Sequence, residues 1–161
     1  MAEDEPLNLA IEIFCDAYRH QMNGELREAA ELYRQSIQTY PTAEAYTFLG
    51  WTYSFMGDFD AAIAECQHAI EVDPDFGNPY NDIGAYLIEK GQFDEAISWL
   101  EKATGAMRYD NPAFPYFNLG RIWEHKHQFG RALASYKMAV EIDPHYALAL
   151  TAIRRLRAMF N

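Results

Sequence analysis

The chain has 161 residues, half of them hydrophobic and 23% charged. That is enough for one globular domain with a real core, and it excludes a disordered chain. A formal net charge of −11 excludes a general nucleic-acid partner, because phosphate binding needs a concentrated basic surface.

The acidic start, 1-MAEDEP-6, has neither the positive region nor the apolar run of a secretory leader. No stretch is apolar enough to span a bilayer, so a cytoplasmic location without membrane insertion is expected. The first predicted unit covers about 10–42. Its second helix is 24-GELREAAELYRQSI-37, which closes at 39-TYP-41. The second unit, 43–76, opens with 46-YTFLGWTYSFMG-57, continues in 57-GDFDAAIAECQHAI-70 and closes at 72-VDP-74. The third, 77–112, pairs 80-YNDIGAYL-87 with 91-GQFDEAISWLEKAT-104 and lacks the closing proline, with Arg108 in its place. The fourth, 113–144, pairs 116-YFNLGRIW-123 with 127-HQFGRALASYKMAV-140, puts His127 in the glycine's place and closes at 142-IDP-144. A last amphipathic helix is predicted over about 145–160.

These units are copies of one pattern. Ala29, Ala62, Ala96 and Ala132 recur at intervals of 33, 34 and 36, and Gly50, Gly84 and Gly120 at 34 and 36. A fixed period in this range means a repeat array. The fold class is therefore all-α, one repeat domain over 1–161, with two helices in each unit. The small residues fall where two helices of a pair cross closely. Asn78-Pro79 and Asn111-Pro112 read as an N-cap followed by proline at the first helical position. Acids crowd the first turns of the second helices (Glu25, Asp58, Asp60, Asp94, Glu95), where the helix dipole favours them. The two extra residues between units three and four fall in 105-GAMRYDNPAFP-115. This reads as a surface loop that changes the angle between units.

Charge is uneven along the chain. Residues 1–76 hold three basic side chains against fifteen acidic ones, and residues 77–161 hold ten against nine. The three arginines of 154-RRLR-157 read as dipole compensation at a helix end. Cys15 and Cys66 sit in no CxxC, so neither a disulfide framework nor a zinc site is indicated, and both read as small buried hydrophobes. There is no P-loop, dinucleotide fingerprint or HExxH. The histidines of 125-HKH-127 diverge on a helix. No catalytic residue, metal or cofactor is assigned, and a non-enzymatic protein is expected.

The stretch 46–57 carries two apolar faces. Phe48, Trp51 and Phe55 lie on one, and Tyr46, Leu49, Tyr53 and Met56 on the other. One face can be core, which leaves the second to be explained.

The aromatic-x-x-Leu-Gly-x-x-aromatic run, the recurring alanines of the second helices and the closing Asp-Pro resemble the tetratricopeptide repeat family. The resemblance covers all four units and the last helix, which matches the solvating helix of such arrays. The first unit departs from the pattern, with Ala17 for the glycine and His20 for an aromatic. The resemblance implies a right-handed superhelical solenoid of antiparallel helix pairs, with the first helices lining a concave groove. Tyr46, Leu49, Gly50 and Tyr53 match the family's packing positions, so Thr47, Phe48, Trp51 and Phe55 fall on the groove side. The same register puts Phe14 and Tyr18 there from the first unit, Asn81 and Asp82 from the third, and Phe117, Asn118 and Arg121 from the fourth. The groove would be aromatic in its N-terminal half and polar in its C-terminal half, where Asn81, Asn118 and Arg121 suit a peptide backbone or a carboxylate. The family's clamp for chaperone tails is absent. The implied partner is a protein or peptide with an apolar or amphipathic segment, and the implied role is that of a scaffold. Two alternatives stay open: the inner aromatics pack on one another, or the chain is a structural assembly module that self-associates or acts through its convex face.

Overall fold

A computed structural model describes residues 4–160, so the first three residues of the acidic start lie outside it. The described residues form nine α-helices and no strand. Four pairs follow one another: α1 (Asp4–Met22) with α2 (Leu26–Thr39), α3 (Ala43–Phe55) with α4 (Phe59–Val72), α5 (Asn78–Glu89) with α6 (Phe93–Thr104), and α7 (Ala113–His125) with α8 (Phe129–Ile142). The last helix, α9 (Ala147–Met159), packs on α8. None of these helices is long and apolar enough to cross a membrane.

Each pair is closed by the same turn. Gly24, Gly57 and Gly91 have φ of 80°, 82° and 75°, and His127 has 57°. In all four, the amide one residue later reaches back to a helix carbonyl: Glu25 to His20, Asp58 to Tyr53, Gln92 to Leu87 and Gln128 to Trp123, at 2.8–3.0 Å. This bond satisfies carbonyls that a helix end leaves orphaned. Glycine adopts the left-handed conformation without strain, and His127 holds it at a cost.

The crossings are set by one position in each second helix. Tyr33, Cys66, Leu100 and Tyr136 recur at 33, 34 and 36 residues and are all buried. Cys66, Leu100 and Tyr136 lie against Gly50, Gly84 and Gly120. A Cβ on Gly50 would meet the Ala62 carbonyl at 2.8 Å, and one on Gly84 would meet Leu100 at 2.5 Å. Burial pushes the Cys66 thiol up, which leaves it inert.

Three local expectations are corrected. Cys15 is exposed, because no preceding pair covers that side of α1. Asn78 is the first residue of α5 and Asn111 lies before α7, so neither side chain caps a helix. The side chains that do cap are Thr42, which accepts from Ala45 N at 3.2 Å, and Asp58, which accepts from Ala61 N at 3.0 Å. α1 also begins at Asp4, upstream of residue 10, with Asp4 and Glu5 in its first turn.

The 105–112 segment docks on the turn between α4 and α5. Gly77 N donates to Arg108 O at 2.8 Å, and Arg108 N donates to Asp75 O at 3.0 Å. The Arg108 guanidinium bonds Asp73 and Glu44 at 2.6 and 2.8 Å and sits 4.1 Å over the Phe76 ring. Arg108 therefore joins the start of α3, the α4–α5 turn and the loop.

Candidate functional site

Consecutive first helices touch: α1 on α3, α3 on α5, α5 on α7. The second helices make no comparable contacts with each other. The array therefore bends toward its first helices, and their outward residues line the inner surface.

In the N-terminal half this surface is a chain of aromatic rings. Phe48 is its centre, with centroids 5.1 Å from Phe14, 5.8 Å from Tyr18 and 5.6 Å from Trp51; Trp51 lies 5.2 Å from Phe55. These edge-on and tilted contacts are the arrangement that ring quadrupoles favour. The chain grades from core to solvent. Phe14 and Phe48 pack on buried Tyr33 and Leu49. Trp51 is half-buried, whereas Tyr18 is 40% and Phe55 59% exposed, with Ile11 and Met22 exposed beside them. Thr47 is buried and donates to the Ala43 carbonyl at 2.7 Å.

In the C-terminal half the polar side chains bond one another. Asn118 Nδ2 donates to Asn81 Oδ1 at 3.0 Å, and both residues are buried. Arg121 donates to Asn118 Oδ1 at 3.2 Å and to Glu89 at 3.1 Å. Phe117 lies against Tyr136 and Tyr146, at 5.5 and 5.1 Å, and so fills the junction of α7, α8 and the turn into α9. Arg155 of α9 bonds Glu124 at 2.6 Å, and Tyr136 donates to the same carboxylate at 2.7 Å. Burial raises the Glu124 carboxyl, but these two donors hold it below its ordinary value.

Between the halves lies Asp82, half-buried on α5. Its one hydrogen bond is a long one, 3.4 Å from Asn81 Nδ2, and burial pushes its carboxyl up to about 7. Tyr109 reaches this region from the 105–112 loop, its ring packed against Gly77. The only signal in the sequence for Tyr109 was the longer spacing between units three and four. The inner surface thus joins Phe14, Tyr18, Phe48, Trp51 and Phe55 in one chain of rings and Asn81, Asn118 and Arg121 in a separate bonded set, with Phe117 beside Arg121 in the cavity between α7 and α9. Among the described residues no three His, Cys, Asp or Glu side chains converge as a metal site would need.

Family models described as tetratricopeptide repeat match residues 43–76 and 65–98. The chain is 27% identical over 100 residues to the small glutamine-rich tetratricopeptide repeat-containing protein 2 of Mycosarcoma maydis, covering 62% of this chain and 28% of that protein. It is 36% identical over 81 residues to the SGT1 homologue of Oryza sativa subsp. japonica, covering 50% and 22%. The chain thus spans about a quarter of the length of these relatives. Among solved structures it resembles Pseudomonas aeruginosa PilF, with a TM-score of 0.88 and 17% identity over 99% of this chain and 71% of that one. It also resembles YrrB, with a TM-score of 0.71 and 20% identity over 90% and 74%. Pairing, turns, crossings and these likenesses agree: the chain belongs to the tetratricopeptide repeat family.

Proposed function

We propose that this protein is a non-catalytic scaffold that holds an apolar or amphipathic segment of a partner protein on its inner surface. The observation that carries the reading is the graded aromatic chain. Phe14 and Phe48 fix the rings from below, and Trp51, Tyr18 and Phe55 present them to solvent. An exposed cluster of large apolar side chains marks an interaction surface more often than idle surface. Each aromatic buried on binding contributes about 1.5–3 kcal/mol before ordering costs. Tyr18, Trp51 and Phe55 are then the contacts, with Phe14 and Phe48 as their support. Arg121 stands at the far end, while Asn81, Asn118 and Phe117 hold the wall. YrrB, of the same fold, is described as a tetratricopeptide protein with a peptide-binding site, which supports a peptide as occupant.

The test is affinity capture from source lysate with wild type and the double variant Tyr18→Ser/Phe55→Ser, both checked by circular dichroism. A partner held by wild type and lost by the folded variant is the expected result. Capture of the same set by both proteins would move the site off the inner surface.

A second reading, a self-associating assembly module, rests on the two ends. α9 carries Arg154, Arg155 and Arg157 with no acid, and α1 carries Asp4, Glu5, Glu12 and Asp16. Sedimentation at low and high salt distinguishes it, since head-to-tail contact between such ends weakens with salt.

A further inference from the structure

Asp82 takes the place in the third unit that Phe48 takes in the second, and Asn118 follows it in the fourth, at intervals of 34 and 36 residues. It therefore stands where the aromatic chain ends, on a helix that touches α3. The other carboxylates of the first helices in this region have cationic partners: Glu44 has Arg108, Glu89 has Arg121 and Glu124 has Arg155. Asp82 has none among the described residues. The Asp82 charge helps to raise the Cys66 thiol of α4, the Tyr86 hydroxyl of its own helix and the Tyr109 hydroxyl of the loop, so these are the titratable groups around it, and none of them is positive. Oxygen acceptors crowd the same place. Asn78 lies four residues back on the same face of α5, and its enclosed Oδ1 has no hydrogen-bond partner. The enclosed Tyr109 hydroxyl has none either. Asn118 and Arg121 aim their side-chain hydrogen bonds at Asn81, Asn118 and Glu89, and neither bonds Asp82.

We infer that Asp82, at a place walled by Asn78 and Tyr109, receives a lysine or arginine side chain of the segment held in the groove. The inference rests on the groove reading above and adds the chemistry of its occupant: apolar where it crosses α1 and α3, basic where it reaches α5. An ammonium or guanidinium supplies several donors to a place that holds acceptors and one carboxylate. A carboxylate on the ligand would instead meet a like charge. Burial already disfavours the Asp82 anion, and an arriving cation relieves that penalty, so the contact is selective and not merely additive. The acidic N-terminal half, fifteen acidic side chains to three basic, attracts such a segment at long range.

The test uses a random peptide library displayed on phage and panned on wild type, on Asp82→Asn and on Tyr18→Ser/Phe55→Ser. Wild type is expected to enrich peptides with a lysine or arginine at fixed spacing from an aromatic or aliphatic residue. Asp82→Asn is expected to keep the apolar requirement and lose the basic one. A synthetic peptide from the wild-type pool should lose about tenfold or more in affinity for wild type when its lysine is replaced by norleucine, and little for Asp82→Asn. The peptide-side change keeps the test valid if Asp82→Asn does not fold. Enrichment of apolar peptides without a basic preference would overturn this inference and leave the groove reading standing. No enrichment, or enrichment indifferent to Tyr18 and Phe55, would overturn both.

Discussion

At the scale of single residues, Asp82 gives a stability test that is independent of any ligand. Its folded-state pKa, about 7, lies above the ordinary value, so the folded protein keeps the proton where the unfolded chain has released it. The sign follows. Between about pH 4 and 7 the folded state binds more protons, so this residue's contribution to stability falls as pH rises through that window. Asp82→Asn should therefore raise stability by about 1–3 kcal/mol at pH 8 and change it little at pH 4, measured by urea unfolding. An equal effect at both pH values would contradict the buried carboxyl. The register of Asp82 was legible in the sequence, because period 34 places it on the inner side. Its depth was not, since depth depends on what Tyr109 and Cys66 place around it. Cys15 shows the same limit: spacing assigns a helix position, but only neighbouring elements decide whether it is covered.

At the scale of the element, turns and crossings were the most legible features, because each occurs in several copies. Gly50 faces a backbone carbonyl, which cannot swing aside as a side-chain end can. Gly50→Ala should therefore destabilise by about 1–3 kcal/mol despite alanine's better helix propensity, as read from the urea midpoint. His127→Gly should act the other way, stabilising by about 0.5–1 kcal/mol through relief of its positive φ. The helix starts were less legible. Asn-Pro is a good cap signal, yet at α5 the backbone pair with Arg108 fixes Gly77 and the helix begins a residue earlier than the cap pattern implies. The docking of the 105–112 loop was hidden because it depends on Arg108 reaching residues 35 and 64 positions away. Arg108→Ala should speed amide hydrogen exchange at Gly77 and Arg108's own position more than in the helix cores.

At the scale of the whole molecule, the bend toward the first helices turns four similar units into one surface with two characters. The aromatic half was legible as a second apolar face on residues 46–57. The polar half was legible by position only, since no spacing rule shows that Asn81, Asn118 and Arg121 bond each other. The central claim is that a partner segment lies on the aromatic half. The three tryptophans test it directly: Trp51 is on the inner surface, Trp99 is on α6 under Lys102, and Trp123 packs beneath Arg131. Their indole N–H resonances should resolve as separate peaks in a proton–nitrogen correlation spectrum. On titration with the bound segment, a shift of the Trp51 peak with Trp99 and Trp123 unmoved is the expected result. A shift of Trp99 with Trp51 unmoved would place the partner on the second helices and contradict the inner-surface account.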